Sequence, residues 1–226
     1  MINYLCIIQA RVNSSRLPSK VMLDLGGKTL LLRCIASVKE SKLIDKIVVS
    51  TSNQIQDNII EKKLKIVNVD CYRGNLNNVL ERFYLTASKY EAKHIIRITA
   101  DNPLMDGEVI DRLIKLYQSK ESDYSRFSNA IIGLSAEVFS FDSLKKAYEN
   151  SRDDYDTEHV TPYIKDKCNV HIEDIDTYYR YPNLSATIDT LEDYVKMQDF
   201  YLNCQETNET MDIHSFIKYS GEKDES

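Results

Sequence analysis

No stretch of the 226-residue sequence is apolar over anything near the roughly 20 residues that a bilayer-spanning helix needs. Runs such as Thr29–Leu32 and Lys46–Val49 are far shorter. No signal peptide is expected either, because the chain enters an apolar, strand-like run at Tyr4–Ile8 almost at once. The expectation is a soluble, cytoplasmic protein with no membrane partner. Cysteine pairing patterns are missing too. Cys6, Cys34, Cys71, Cys168 and Cys204 are an odd number with no C-x-x-C pair, which speaks against a disulfide framework and a zinc knuckle. Positive charge is scarce: the formal net charge is −6, with residues 1–50 at +5 and the remainder at −11. Counterion release needs a basic face, so nucleic acid is not an expected partner. Two nucleotide fingerprints are absent. No G-x-G-x-x-G follows the first strand, against a dinucleotide-binding dehydrogenase. No G-x-x-x-x-G-K-[ST] occurs, and Gly26-Gly-Lys-Thr29 is only its tail, against a P-loop kinase or GTPase. There is no internal repeat.

What is there begins with Ile7–Lys20, a polar loop after the first strand that carries Arg11, Arg16 and Lys20 among the small residues Ala10, Ser14, Ser15 and Ser19. Small residues let an anion approach backbone N–H groups, and three cations suit polyphosphate. Strand and helix patterns then alternate. Leu30, Leu31, Ile35 and Val38 recur at helical spacing, Lys46–Ser50 reads as a strand, Ile55, Ile59 and Ile60 suggest a short helix, and Lys65–Val69 a third strand. A turn at Cys71–Gly74 precedes a helix with Leu76, Val79, Leu80, Phe83, Tyr84 and Ala87 on one face. His94–Thr99 is a fourth strand, and Asp106 is placed to cap a helix through Val109, Ile110, Leu113, Ile114 and Tyr117. Repeated βα units imply a largely parallel sheet covered by helices on both faces, with ligands beyond the carboxyl ends of its strands. The loop after the first strand and Asp101 after the fourth both fall on that edge.

The second half changes character. Gly133–Phe141 looks β-rich and leads into a helix through Leu144, Ala147 and Tyr148. Residues 151–157 read as a charged linker into a helix at Glu158–Lys165, followed by strands at Asn169–Glu173 and Leu184–Ile188. Thr190-x-x-Asp193 resembles a capping box for a helix over Leu191–Leu202. The expected organisation is one main domain over residues 1–205, with a small β-containing appendage within about 123–185. Residues 206–226 would add a docking helix at Asp212–Tyr219 and a polar, frayed end.

A nucleotidyl transfer needs positioning and charge stabilisation more than covalent help. Arg11, Arg16 and Lys20 supply cations. Magnesium prefers one or two carboxylates with phosphate oxygens and water, and Asp101 and Asp189 are the strand-end candidates. The alternative readings are a turn before Pro103 for Asp101 and a helix cap for Asp189.

Ile8-Gln-Ala-Arg-Val-Asn-Ser-Ser-Arg-Leu-Pro-Ser-Lys20, with Gly26-Gly-Lys28 after it, resembles the opening of cytidylyltransferases that activate sugars. These include acylneuraminate cytidylyltransferase, CMP-Kdo synthetase and, closest, the spore-coat polysaccharide biosynthesis cytidylyltransferase-like proteins. Tyr72-Arg-Gly74 with Asn78-Val-Leu-Glu-Arg82, Arg97-Ile-Thr-Ala-Asp-Asn-Pro103, Glu137-Val-Phe139, Glu158-His-Val-Thr-Pro-Tyr163 and Thr187-Ile-Asp-Thr-Leu-Glu-Asp193 extend the likeness in the family's order.

The resemblance implies a Rossmann-like nucleotide-diphospho-sugar transferase fold with an acceptor and dimerisation appendage, CTP as donor, Mg2+ as cofactor, a small sugar-type acceptor and a homodimer touching through residues 151–180. An acceptor oxygen would attack the α-phosphate of CTP and expel pyrophosphate, giving a CMP-activated acidic sugar for surface polysaccharide. By position, Arg11 and Lys20 match triphosphate-binding residues beside Ala10, with Arg16 a helper, and Asp101 and Asp189 match paired metal-binding aspartates. Gly74, Asn78 and Arg82 fall near the nucleotide or the acceptor, though Arg82 reads equally as a solvated helix residue. Glu137, Glu158 and His159 fall where the family approaches its acceptor or its dimer contact, with Glu137 and Glu158 the acceptor candidates. His159 is left without an acid–base role. The chain departs from the pattern at Asn13 and Ser19, where glycines are usual, at Asn77-Asn78, where acids are common, and in a short Ser125–Ser135 segment that reads as an acceptor wall. Other readings are a CDP-linked product from a phosphorylated sugar or polyol, a glycosyltransferase using Asp174-Ile-Asp176 as its metal motif, and a non-catalytic nucleotide-binding protein.

Overall fold

A computed structural model of the chain describes residues 2–181 and 183–224, the last three through their backbone alone. The first strand, β1 (Ile2–Gln9), is buried over Tyr4–Ile8. A long loop and a small hairpin, β2 (Asp24–Leu25) and β3 (Lys28–Thr29), lead to α1 (Leu30–Val38), which Thr29 caps by accepting from the Leu32 N–H. There follow β4 (Lys46–Ser52), α2 (Asn58–Ile66), β5 (Asp70–Gly74), α3 (Val79–Lys89), β6 (Ala92–Thr99) and α4 (Gly107–Ser119). The second half contributes β7 (Tyr124–Ser128), β8 (Glu137–Ser140), α5 (Phe141–Asn150), α6 (Asp154–His159), α7 (Pro162–Lys167), β9 (Val170–Asp174), α8 (Leu191–Thr207) and α9 (Ile213–Asp224). Among the described residues no helix is long and apolar enough to cross a membrane.

One seven-stranded sheet runs in the order β5-β4-β1-β6-β8-β7-β9. All neighbours pair in parallel except β8, which is antiparallel to β6 and β7. Because side chains alternate along a strand, β1 sends Cys6 and Ile8 into one core and Leu5 and Ile7 into another. The first core is closed by α1, α2, α4, α8 and α9, the second by α3, α5 and α7. This is the expected two-faced α/β layer. Strands β7, β8 and β9, which fall within residues 123–185, extend the main sheet.

Several local expectations are corrected. Lys65–Val69 is not a strand: Ile60 and Leu64 pack inward at helical spacing, so α2 continues to Ile66 until Asn68, at φ 52°, ends the turn. The strand starts at Asp70 and takes in the residues expected as a turn. Strand β7 escaped notice because Ser125 and Arg126 break its apolar run. Leu184–Ile188 forms no strand, only a single bridge between Ser185 and Ile132. The supposed linker is α6, separated from α7 by Val160 at φ 71°, ψ −49°, where the Thr161 N–H bonds back to the His159 carbonyl. A buried β-branched residue there is strained backbone, held by its packing in the second core. The capping box forms, with Thr190 and Asp193 bonded reciprocally, and α8 runs on past the expected end at Leu202 to Thr207. Helix α9 docks on it, with the Phe200 and Phe216 rings 5.1 Å apart. The polar end expected to fray reaches beyond the described residues.

Candidate active site

Strand ends meet at the carboxyl edge of β1, β4 and β6. The loop after β1 is anchored from below by Asp57, which is buried and accepts from the Val12 N–H at 2.8 Å, from the Ser52 N–H at 3.1 Å and from the Ser52 hydroxyl. Sequence reasoning missed Asp57, since nothing in its local pattern sets it apart from a helix cap. The loop then turns at Ser19, whose φ of 59° and ψ of 19° lie in the left-handed region, and enters a short helical turn at Lys20–Met22. That conformation explains why a glycine is usual there: a Cβ costs about 1 kcal/mol in it. Asn13 is not among the positive-φ residues, so its departure carries no backbone strain.

Lys20 is the centre of the site. Its backbone turn buries the side chain, and the Nζ donates to Asp101 Oδ2 at 2.8 Å, Asp189 Oδ1 at 2.8 Å and the Ile188 carbonyl at 3.0 Å. Asp101 follows β6 directly. Asp189 arrives from far along the chain because the segment before it is tied down twice: the Ala186 N–H bonds the Ile132 carbonyl at 2.8 Å, and the Ile188 N–H bonds the Asp101 carbonyl at 3.0 Å. Gly133 permits this approach, since a Cβ there would stand 2.8 Å from the Thr187 nitrogen. Arg16 closes the group with a 3.0 Å ion pair to Asp189. Two carboxylates and two cations balance to neutrality.

A cleft of about 200 Å³ opens over this group, with Ala10, Arg11, Ser14, Ser15, Arg16 and Lys20 on its loop side and Asp101 and Asp189 opposite. The expected phosphate cradle and the expected aspartate pair are therefore one site. A second cleft adjoins it, sharing Arg11 and walled by Asn75–Asn78 from the start of α3 and by Asp154, Thr157 and Glu158 of α6. Asn78 also caps α3 by accepting from the Glu81 N–H at 2.8 Å.

Other predicted residues hold the walls. Arg82 is 1% exposed, so it is not a solvated helix residue. Its guanidinium donates to the Asn75 carbonyl at 2.9 Å and the Ser50 hydroxyl at 3.2 Å, propping the loop that carries Asn75–Asn78. Burial, opposed by Asp57 and helped by Arg11, lowers its pKa to about 10. Gly74 lies against it, where a Cβ would meet Arg82 Cγ at 3.1 Å. Glu137 is buried and does not line either cleft. It accepts from Arg97 at 2.6 Å, Lys165 at 2.6 Å, the Tyr124 hydroxyl at 2.6 Å and the Thr161 hydroxyl at 3.1 Å. Burial acts to raise its pKa, but Arg97 and Lys165 with the hydrogen bonds of Lys165 and Tyr124 outweigh it and hold the carboxyl at about 2. His159 is exposed against the Tyr155 ring. Asp174 and Asp176 line neither cleft; they bond Ser128, Asn129 and Tyr178 and pair with Arg180 and Arg112, closing the turn after β9.

The aspartate pair suits magnesium. Asp101 Oδ1 is buried without a hydrogen-bond partner, a free lone pair beside the cleft. No cluster of three or more His, Cys, Asp or Glu residues able to hold a metal occurs among the described residues, so a dedicated all-protein cage is not what the site offers. Two carboxylates with phosphate oxygens and water completing the shell are the magnesium pattern.

Residues 5–222 match the family model described as cytidylyltransferase. An uncharacterized protein of Methanocaldococcus jannaschii is 40% identical over 83% of this chain and 79% of its own. The spore coat polysaccharide biosynthesis protein SpsF of Bacillus subtilis is 33% identical over 94% of this chain and 91% of its own. A 3-deoxy-manno-octulosonate cytidylyltransferase of Chlamydia pneumoniae is 36% identical, over 53% of this chain and 48% of its own. Among solved structures, a cytidylyltransferase from Leptospira borgpetersenii superposes with a TM-score of 0.82 at 27% identity, covering 92% of this chain and 94% of that one. The chain belongs to the cytidylyltransferase family and is a nucleotidyltransferase.

Proposed function

From family membership as premise, we propose that the chain moves a cytidylyl group from CTP to a hydroxyl of an acidic sugar of the nonulosonic type, forming a CMP-sugar for surface polysaccharide. The observation that carries this reading is the Lys20 ammonium clamped between Asp101 and Asp189 at the floor of a cationic loop. The acceptor hydroxyl oxygen bonds to the α-phosphorus and gives up its proton to water, the bond to the bridging oxygen of the β-phosphate breaks, and pyrophosphate leaves with that electron pair. The names of the Bacillus and Chlamydia relatives support a polysaccharide setting and a sugar-acid acceptor.

Each side chain has a definable part. Arg11 and Arg16 flank the triphosphate position, and the Ser14 and Ser15 backbone borders it. Lys20 neutralises the aspartates while the cleft is without ligand. When the triphosphate enters, the ammonium has a second anion within reach, and moving toward it frees both carboxylates. Asp101 and Asp189 would hold magnesium, which supplies charge neutralisation at the phosphates. The developing charge on pyrophosphate falls to Lys20, Arg11 and Arg16, the cations of the one loop.

A homodimer through residues 151–180 belongs to the same reading, and the exposed Tyr155 and Ile172 on that segment support it. The test is pyrophosphate release by purified protein with magnesium, CTP and a panel of nonulosonic acids, Kdo and sugar or polyol phosphates. Release with a sugar acid alone is expected. Release only with a phosphorylated acceptor favours a CDP-linked product, and no CTP-dependent release on any member refutes cytidylyl transfer.

A further inference from the structure

Beside the catalytic cleft lies a group of charges that does not balance. Strand pairing places Arg97 of β6, Glu137 of β8 and Arg126 of β7 in one row across the sheet. Tyr124, two residues before Arg126, shares its face and bonds Glu137. Lys165 of α7 reaches the same carboxylate from above. Three cations thus surround a single carboxylate, an excess of two positive charges.

The carboxylate is already spent. Glu137 Oε2 is occupied by Arg97 and Oε1 by Lys165, Tyr124 and Thr161. Arg126 receives nothing from it. Among the described residues Arg126 has no carboxylate partner, and its Nε is buried with no hydrogen bond. The Arg97 Nε is likewise buried and unpartnered. Arg126 is half-buried, and a guanidinium nitrogen buried without a hydrogen-bond partner is costly, so an arginine in this condition points to an anion that completes the site when bound. The row adjoins the reacting centre: the Arg97 guanidinium also donates to Gln9 Oε1 at 3.4 Å, and Gln9 lines the cleft that holds Lys20.

We propose that Arg126, with Arg97 and Lys165, seats the carboxylate of the acceptor sugar, so that Arg126 makes the enzyme select acidic acceptors over neutral ones. Planar guanidinium and planar carboxylate match in a bidentate pair, which a neutral hydroxyl cannot reproduce. Glu137 is the positioning residue that fixes Arg97 and Lys165 beside Arg126. The proposal rests on the acidic-sugar reading of the cleft but is tested by binding, apart from turnover.

Calorimetry with the full chain, magnesium and a non-hydrolysable CTP analogue would measure binding of N-acetylneuraminate and Kdo, each beside its methyl ester. The unmodified protein should bind at least one acid 10-fold or more tightly than its ester. Arg126→Gln should abolish that preference and Arg126→Lys should restore part of it, with CTP affinity within 2-fold and an unchanged melting temperature. An unaltered acid preference in Arg126→Gln, or no acid preference in the parent, overturns the proposal. Pyrophosphate release on the same panel separates the two ideas: turnover without acid preference leaves cytidylyl transfer standing and removes the anion pocket. Acid-selective binding without turnover on any member does the reverse.

Discussion

Replacing Lys20 by Met keeps the length of the side chain and removes its charge, so its effect can be worked from three contacts. The two aspartate oxygens each lie 2.8 Å from the same Nζ, hence at most twice that, 5.6 Å, from each other. Two unit charges at that separation repel by roughly 3 kcal/mol at an effective dielectric constant of 20. The carboxylate side chains are 21% and 29% exposed, so water screens part of this. The expected loss of stability is about 1–2 kcal/mol at pH 7. Magnesium should return much of it, because Asp101 and Asp189 would hold the ion and its charge would offset theirs. Catalysis should suffer more. A fixed donor aimed at developing charge is worth about 3 kcal/mol, near 100-fold in kcat. Urea denaturation with and without magnesium, and pyrophosphate release with CTP and the best acceptor of the panel, measure the two effects separately. Unchanged turnover removes Lys20 from the mechanism. Equal destabilisation with and without magnesium refutes the placement of the ion between Asp101 and Asp189.

Ser19→Gly should stabilise the protein by about 1 kcal/mol in urea, since it relieves the left-handed serine, and a loss of stability would show that the serine side chain holds the loop. Asp57→Ala should cost about 2 kcal/mol and raise the KM for CTP several-fold, because the Val12 N–H loses its acceptor below the phosphate loop; steady-state kinetics at varied CTP check this. Glu137 has a carboxyl held at about 2 against an ordinary 4.5. A depressed carboxyl stabilises the fold above its unfolded pKa and loses that as pH falls toward the folded value, so its contribution of about 3 kcal/mol is present at pH 7 and fades between pH 4.5 and pH 2. The gap in urea midpoint between the parent and Glu137→Gln should therefore be wide at pH 7, fall to less than half of that at pH 3 and close only near pH 2; a constant gap refutes the assignment.

What the sequence disclosed follows from how local each cause is. Periodicity found β1, α1, α3, β6 and α4, because their burial alternates or recurs within a dozen residues. The caps at Asp106 and Thr190 were legible for the same reason. Lys65–Val69 was misread because the same β-branched residues suit the exposed side of a helix and the pleat of a strand. Only the packing of Ile60 and Leu64 separates the two. Strand β7 was illegible because a charged residue, half-buried, sits within it, and what makes that tolerable, the row with Glu137 and Arg97, is set by pairing across the sheet.

The candidate site shows the same division more sharply. Arg11, Arg16 and Lys20 could be read together because they share one loop, and Asp101 and Asp189 because each ends a predicted strand. That the strand before Asp189 does not exist makes no difference to the aspartate, since a single bridge and one N–H to the Asp101 carbonyl fix its position as firmly. The roles of Arg82 and Glu137 went the other way. Their motif positions suggested ligand contact, yet both are consumed by protein partners. Arg126, outside every recognised motif, is a side chain left with unspent hydrogen-bonding capacity. A residue's placement in a motif says that its position matters; whether it meets ligand or protein is decided by which donors and acceptors the fold has already satisfied. Arg126 is therefore the better candidate than Glu137 for meeting the acceptor, and the two substitutions should part accordingly: Glu137→Gln through stability, Arg126→Gln through acceptor choice.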